Sequence, residues 1–316
     1  MKIKSPLKDL TLIQIIDRFP DDETARKHLE AVLWKDGPVC PHCKNHKDKP
    51  IYKLEPRGDS KAAVRAGVYK CGACLKQFTV TVGTIFEDSH IPLRKWLIAW
   101  YLLCSSKKGI SSLQLKRILE IGSYGTALFM THRIRFALQQ THFAEKLSGT
   151  IEADEAVVGG VYSQAKGTKN ENKTIVMALV QRGGPVRSMV MPTVNGKNLK
   201  QAIRDNVMIC SEVHTDKWSG YTGLEPKYTH KTVNHSLDEF SRHEGEKLVS
   251  TCAVESYFGL LKRGVMGTFH HISPQHLPLY LAEFDHRHNY RKLTDGERTD
   301  IGLTKAVGKR LVLKTA

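Results

Sequence analysis

Residues 151–160 read Ile151-Glu152-Ala153-Asp154-Glu155-Ala156-Val157-Val158-Gly159-Gly160. The run is apolar apart from its acids, carries β-branched residues and stops at a glycine pair, so it reads as a strand. An acid within such a strand is costly unless it is used, which singles out Asp154. Strand alternation puts Glu152 on the face of Asp154 and Glu155 on the opposite one. Alternation therefore leaves Glu152 open as a ligand beside Asp154.

Two further acids extend the pattern. Asp216 ends the strand-like run Val213-His214-Thr215-Asp216, and Glu255 lies in the helix-like run Ala253-Val254-Glu255-Ser256-Tyr257-Phe258-Gly259-Leu260-Leu261-Lys262. Lys262 follows Glu255 by seven residues and shares its helix face. Carboxylates on strand ends and on a neighbouring helix can hold two divalent cations, and such a site cuts or joins phosphodiesters. Lys262 can meet a phosphate there as a point charge. The plainer readings are a solvated strand end for Asp154, a turn cap for Asp216 and a solvated stripe for Glu255 and Lys262.

Around these acids the spacing predicts strands at 150–158, 174–181, 187–192 and 212–215, with a helix at 199–207 before the fourth. Three consecutive strands, a helix, a fourth strand and then more helices is the order of a ribonuclease-H-like α/β domain. We place that catalytic domain at 149–295 and a basic C-terminal tail at 296–316.

Upstream, Cys40-Pro41-His42-Cys43 and Cys71-Gly72-Ala73-Cys74 form two CxxC pairs. Each pair offers two thiolates from one tight knuckle, and together they complete a tetrahedral site for one structural Zn²⁺. Cys40, Cys43, Cys71 and Cys74 are the expected ligands, and His42 is a bystander. Strands are expected at 51–54, 68–70 and 77–82, which makes 37–90 a zinc ribbon, preceded by a helical segment over 1–36. Seven cysteines, an odd number, in a chain that opens without an apolar leader do not suggest a disulfide framework.

Residues 91–148 turn helical. Ser111-Ser112 can cap a helix through Leu119, Ile121-Gly122-Ser123 is a turn, and a third helix runs from Tyr124 to Leu138. Two short helices joined by a glycine-containing turn outline a helix-turn-helix. Lys107, Lys108, Arg133 and Arg135 are its candidate DNA contacts. The formal charge of the whole chain is +16. Residues 1–150 hold 25 Lys and Arg against 14 acids, and the remainder 23 against 18. The N-terminal half is thus the main electrostatic footprint for a polyanion. No apolar run approaches the roughly 18 residues of a membrane span, so the chain reads as a cytosolic protein without membrane contact.

The assembled motifs resemble the IS1595 family of insertion-sequence transposases, with the ISXO2-like catalytic domain. The cysteine region followed by Phe78-Thr79-Val80-Thr81-Val82-Gly83-Thr84-Ile85-Phe86 resembles that family's zinc ribbon. Lys108-Gly109-Ile110-Ser111-Ser112 and His132-Arg133-Ile134-Arg135 resemble its helix-turn-helix. Ile151–Gly160, Thr215-Asp216 through Tyr221, and Glu255 through Gly267-Thr268 resemble its three catalytic segments, the last preceded by Val233-Asn234-His235-Ser236. One departure is local: where members often carry His-Thr-Asn before the glutamate, this chain has Ser250-Thr251-Cys252.

The resemblance implies a DDE recombinase of ribonuclease-H-like fold, with Asp154, Asp216 and Glu255 holding two Mg²⁺, for which Mn²⁺ can substitute. It implies terminal inverted repeats and target DNA as partners, homo-oligomers assembled on that DNA, and the bacterial cytosol as the site of action. The rival readings are a non-catalytic DNA-binding descendant and a junction-resolving nuclease. Intact acids argue against the first, and two upstream binding modules against the second.

Overall fold

The computed structural model describes residue 7 and residues 10–45, 48–55, 64–139, 145–159, 173–237 and 239–311. Gly58, in the loop between the cysteine pairs, and Gly160, which ends the first acidic segment, lie outside them. The chain divides into two compact units. One comprises Met1–Ser106, Ser112–Leu138 and Lys292–Ala316, and the other Lys107–Ser111 and Gln139–Arg291.

The first unit opens with α1 (Leu12–Arg18), started by a capping box between Thr11 and Gln14, and α2 (Asp22–Leu33), capped by Asp21. Ala25, His28, Leu29 and Val32 form the buried stripe of α2, at the spacing of one helix face. A three-stranded antiparallel sheet follows: β1 (Ile51–Leu54), β2 (Val68–Cys71) and β3 (Gln77–Phe78). Trp34 packs edge-on against Tyr69 and Phe78 to close its small core.

The expected strand at 77–82 ends after Phe78. Thr79, Thr81 and Thr84 turn their hydroxyls back on the local chain, with Thr84 Oγ1 donating to Thr81 O at 2.6 Å and Val82 N donating to Thr79 O at 3.1 Å. Short hydroxyl side chains offer the backbone a turn in place of a ladder.

Helix α3 (Leu93–Ser105) buries every residue from Trp96 to Cys104. Helices α4 (Ser112–Ile118) and α5 (Tyr124–Leu138) pack on each other across the turn at Leu119–Ser123, with Ser112 and Thr131 hydroxyls 2.8 Å apart. The stretch beyond 295, expected as a basic tail, begins as a helix, Asp295–Thr304, that buries Arg298, Thr299, Asp300 and Leu303. Its Asp300 carboxylate meets buried His28 at 2.9 Å, and Arg298 donates to the carbonyl of Cys104 at 2.6 Å. These buried polar pairs make the segment part of the first unit's core.

The second unit is built on β4 (Thr150–Val158), β5 (Thr174–Gln181), β6 (Val186–Met191), α6 (Gly196–Asn206), β7 (Glu212–Asp216), β8 (Thr229–Val233), a hairpin of β9 (Ser241–Glu244) and β10 (Lys247–Ser250), α7 (Cys252–Gly264) and α8 (Leu277–Asn289). The main sheet runs β6-β5-β4-β7-β8, antiparallel from β6 to β4 and parallel from β4 to β8. This mixed five-stranded order is the ribonuclease-H-like fold. Sequence spacing placed four of its strands within a residue or so; β8 and the β9–β10 hairpin are additions.

Alternation along β4 serves two cores. Ile151 and Ala153 pack with Leu199, Ile203 and Val213 on the α6 side. Ala156 and Val158 pack with Val254, Tyr257, Phe258 and Leu261 on the α7 side. Asp285 of α8 knots the second layer together: it accepts from the backbone and hydroxyl of Ser188 on β6 and from the hydroxyl of Tyr257 on α7. The closing helix Asp295–Thr304 is α9. Among the described residues, no helix is long and apolar enough to cross a membrane.

Candidate active site

Asp154 lies midway along central strand β4, mostly covered, with its Oδ1 accepting the Glu155 amide at 2.8 Å. Burial is the main reason its carboxyl is pushed up to about 6, and the charges of Asp216 and Glu255 push the same way, against that amide and His235. The three acids singled out in the sequence therefore share one electrostatic neighbourhood. Parallel pairing of β7 on β4 brings Asp216, the last residue of β7, to it, with the Trp218 amide donating to Asp216 Oδ1 at 3.2 Å. Glu255 comes from the first turn of α7.

Two neighbours of Glu255 lie in the runs 233–236 and 250–252, whose spacing assigns them no role at the glutamate. The hydroxyl of Thr251 donates to Glu255 Oε1 at 2.7 Å, and His235 Nε2 lies 3.4 Å from the same oxygen. Thr251 and His235 also meet each other at 3.3 Å. Cys252, at the place of the family's asparagine, is exposed, and its thiol faces the carbonyl of Phe240 at 3.8 Å. Thr251, not Cys252, engages the glutamate. Lys262 is exposed, two turns of α7 beyond Glu255, or about 10 Å along the axis.

The acids flanking Asp154 separate cleanly. Glu155 projects to the α6 side, where the buried hydroxyl of Tyr221 donates to its carboxylate. Burial, with Asp154 and Asp216 nearby, pushes Glu155 up to about 7 despite that bond. Glu152 is 1% exposed and fully engaged: Arg182 donates to Oε1, and the amides of Ala253 and Val254 donate to Oε2. Its lone pairs are taken, so it is not a free ligand beside Asp154.

The cysteines form a second site. Cys40 and Cys74 sulfurs lie 3.7 Å apart, Cys43 and Cys71 sulfurs 3.6 Å, and all four fall within 4.8 Å of one another. A tetrahedron of Zn–S bonds has edges of about 3.8 Å, so the donor set and its spacing fit one Zn²⁺. The two knuckles repeat one another. Lys44 and Leu75, each following the second cysteine of its pair, take φ 61°, and their amides donate to Cys40 O and Cys71 O, both at 2.9 Å. Amides of Cys74 and Ala73 stabilise the Cys71 thiolate and bring it down to about 6. Against the Asn45 amide, desolvation and the neighbouring cysteines push Cys43 up to about 12, so metal binding must displace that proton. Among the described residues, this quartet is the group of His, Cys, Asp or Glu side chains gathered tightly enough for one ion; the three carboxylates stand further apart.

The helix-turn-helix arginines require correction as DNA contacts. Arg135 is wholly buried, with its guanidinium on the Thr131 hydroxyl at 3.1 Å. Arg133 is 6% exposed, donates to the carbonyl of Glu87 at 2.6 Å and lies over the rings of Trp96 and Phe129. Both brace the first unit from inside. Helical spacing showed them on α5 but not that this helix is covered all round from Met130 to Arg135. Lys107 and Lys108 are exposed.

Residues 146–289 match the ISXO2-like transposase domain of IS1595, and residues 20–77 match the transposase zinc-ribbon domain of IS1595. Together these two matches take in nearly two thirds of the chain. The chain belongs to the IS1595 transposase family. It is 25% identical, over 86% of its length and 92% of the relative's, to an uncharacterised protein in transposable element ISH50 of Halobacterium salinarum. Among solved structures, the catalytic core domain of BIV integrase is similar at 18% identity and TM-score 0.29, covering 43% of this chain and 81% of that one. A simian T-cell lymphotropic virus intasome is similar at 14% identity and TM-score 0.27, over 58% of this chain and 66% of that one. The catalytic-domain match contains Asp154, Asp216 and Glu255, and the ribbon match contains all four clustered cysteines.

Proposed function

We propose that this transposase-family chain is an active DNA transposase that cuts its element at the terminal inverted repeats and joins the freed ends to target DNA. The observation that carries this reading is the convergence of Asp154, Asp216 and Glu255, from two parallel strands and a covering helix, on one electrostatic neighbourhood. Charges on Asp216 and Glu255 both bear on mostly covered Asp154, and hard oxygen donors in that arrangement suit Mg²⁺, with Mn²⁺ as substitute. Two such ions, held by these three carboxylates, would supply Lewis-acid stabilisation of both the attacking and the leaving oxygen.

The chain's own residues have separate tasks. Thr251 and His235 fix the Glu255 carboxylate. The Glu155 amide orients Asp154, and the Trp218 amide orients Asp216. Lys262 holds a DNA phosphate as a point charge. No covalent protein–DNA link is required, so no nucleophilic side chain is assigned. The zinc ribbon and helix-turn-helix hold the element's ends, with Lys107 and Lys108 as phosphate contacts, and copies of the chain assemble on paired ends in the cytosol.

The test is strand cleavage of DNA carrying the element's own flanking ends. Wild type cuts with Mg²⁺ or Mn²⁺, while Asp154→Ala binds the ends in a gel shift as wild type does and does not cut. A wild type that binds ends and never cuts them would put a non-catalytic DNA-binding protein in place of the transposase. Normal cutting by Asp154→Ala would remove the carboxylate assignment.

A further inference from the structure

Helix α7 carries Glu255, yet it starts without a local cap. Thr251 occupies the N-cap position, but its hydroxyl is spent on Glu255 and His235 and makes no capping bond to the helix backbone. The amides of the first turn need another acceptor. It comes from a different element. Glu152 of β4 reaches across so that Oε2 accepts from the amides of Ala253 at 2.6 Å and Val254 at 3.2 Å.

The other half of that carboxylate is equally committed. Oε1 accepts from Arg182 Nη2 at 2.8 Å and Nε at 3.2 Å, and from Ser250 Oγ at 3.4 Å. Arg182 also donates to the carbonyl of Leu248 at 2.6 Å. Behind it, buried His214 accepts the Ser250 amide at Nδ1 and meets Glu212 through Nε2 at 2.9 Å. The strand that leads into α7 is thus pinned to β4 through a single buried carboxylate. An anion at a helix N-terminus also meets the positive end of the helix dipole.

Glu152 stands two residues before Asp154 on the same face of the same strand, about 7 Å away. The group that fixes where α7 begins therefore lies on the rigid element that carries Asp154. Glu255 is three residues beyond Cys252, the first residue of α7. Any slip or tilt of the helix start moves its carboxylate relative to Asp154.

We propose that Glu152 is a positioning residue for the metal site: it caps α7 in trans, frees Thr251 to hold Glu255, and thereby sets the separation of Asp154 and Glu255. This inference rests on the reading of those carboxylates as metal ligands. Supporting groups behind ligands change metal affinity or activity by about 10- to 100-fold when removed.

The test is Mn²⁺ binding to the full-length chain, followed by the electron paramagnetic resonance signal of free Mn²⁺, with thermal unfolding measured in parallel. Glu152→Gln keeps the shape but cannot accept at both oxygens. It is expected to unfold cooperatively at a lower temperature and to bind Mn²⁺ at least ten-fold more weakly. Glu152→Asp, which keeps the charge on a shorter arm, should recover part of that affinity. Asp154→Ala should lose the binding outright. Wild-type Mn²⁺ affinity in folded Glu152→Gln overturns the positioning role. Wild-type affinity in Asp154→Ala overturns the metal-site reading instead. If Glu152→Gln does not fold, Arg182→Lys takes its place. Arg182 is one-third exposed, and lysine keeps the charge without the fork; unchanged Mn²⁺ affinity in that variant overturns the inference.

Discussion

Thr251 holds Glu255 by a hydrogen bond of 2.7 Å, four residues apart on the first turn of one helix. The threonine is 1% exposed, so this bond is shielded from water on its side, while the glutamate reaches a partly open surface. Thr251→Val removes the hydroxyl at nearly constant volume and leaves Glu255 with His235 alone. Strand cleavage should fall about ten-fold or more, with end binding by gel shift unchanged. Thr251→Ser should stay near wild type. Equal cleavage by the valine variant would show that the hydroxyl does not position the carboxylate.

The cysteine quartet gives a stoichiometric expectation. Purified protein should carry one zinc per chain by elemental analysis, and Cys71→Ser should lose it along with much of the ribbon's stability. Cys71 is the most informative choice, since it is buried and its sulfur also accepts from Asn45 and the Ala73 amide. Full zinc occupancy in that variant would move the metal elsewhere. Cys210→Ser, at an exposed thiol outside the quartet, should keep the zinc.

The basic residues of the helical segment should fall into two classes. Arg133→Ala removes a buried hydrogen bond and two ring interactions, and should destabilise the chain by about 2–4 kcal/mol in urea unfolding. Below its own transition, the variant should keep the wild-type salt dependence of DNA binding. Lys107→Ala and Lys108→Ala should do the reverse, leaving stability alone and lowering the log–log salt slope by about one for each phosphate no longer neutralised. A flattened slope in Arg133→Ala would return that arginine to the DNA interface.

These two classes mark where sequence reading stops. Periodicity located α5 from Tyr124 to Leu138, because turns and helix-forming residues bound it. It could not say that Arg133 lies over Trp96 while Arg135 is buried against Thr131, since that depends on how α5 is packed by elements distant in sequence. The same limit applies at the active site. Asp154 and Asp216 stood out because acids in apolar strand runs are costly, and Glu255 because Lys262 shares its helix face. Alternation on β4 put Glu152 and Asp154 on one face, yet could not tell ligand from anchor. That distinction rests on Arg182, Ser250 and the α7 amides, which only the folded sheet brings together. Thr251 and His235 stood in the sequence only as members of the runs 250–252 and 233–236, and nothing in their spacing said that both meet Glu255. The closing helix α9 was missed because its buried face is polar: Arg298, Thr299 and Asp300 are covered by specific partners, not by a hydrophobic stripe.

Proton linkage tests the carboxylate cluster without DNA. In the metal-free fold, burial and neighbouring acids raise Asp154 to about 6 and Glu155 to about 7, above ordinary carboxylate values. At these two sites the folded chain holds more protons than the unfolded chain between about pH 4 and 7. The contribution of these two carboxyls to stability falls as pH rises through that window, because in the unfolded state they release their protons first. Asp154→Asn cannot ionise. The variant and wild type should match near pH 4. At pH 8 the variant should be the more stable, by on the order of 2 kcal/mol. Mg²⁺ added at pH 8 should stabilise wild type and leave the variant unmoved, since bound cations relieve the repulsion that the amide has already removed. Urea unfolding in magnesium-free buffer without chelator, which would strip the ribbon's zinc, gives these differences directly. A variant whose advantage does not grow between pH 4 and 8 would mean that Asp154 is not held buried beside Asp216 and Glu255 in solution.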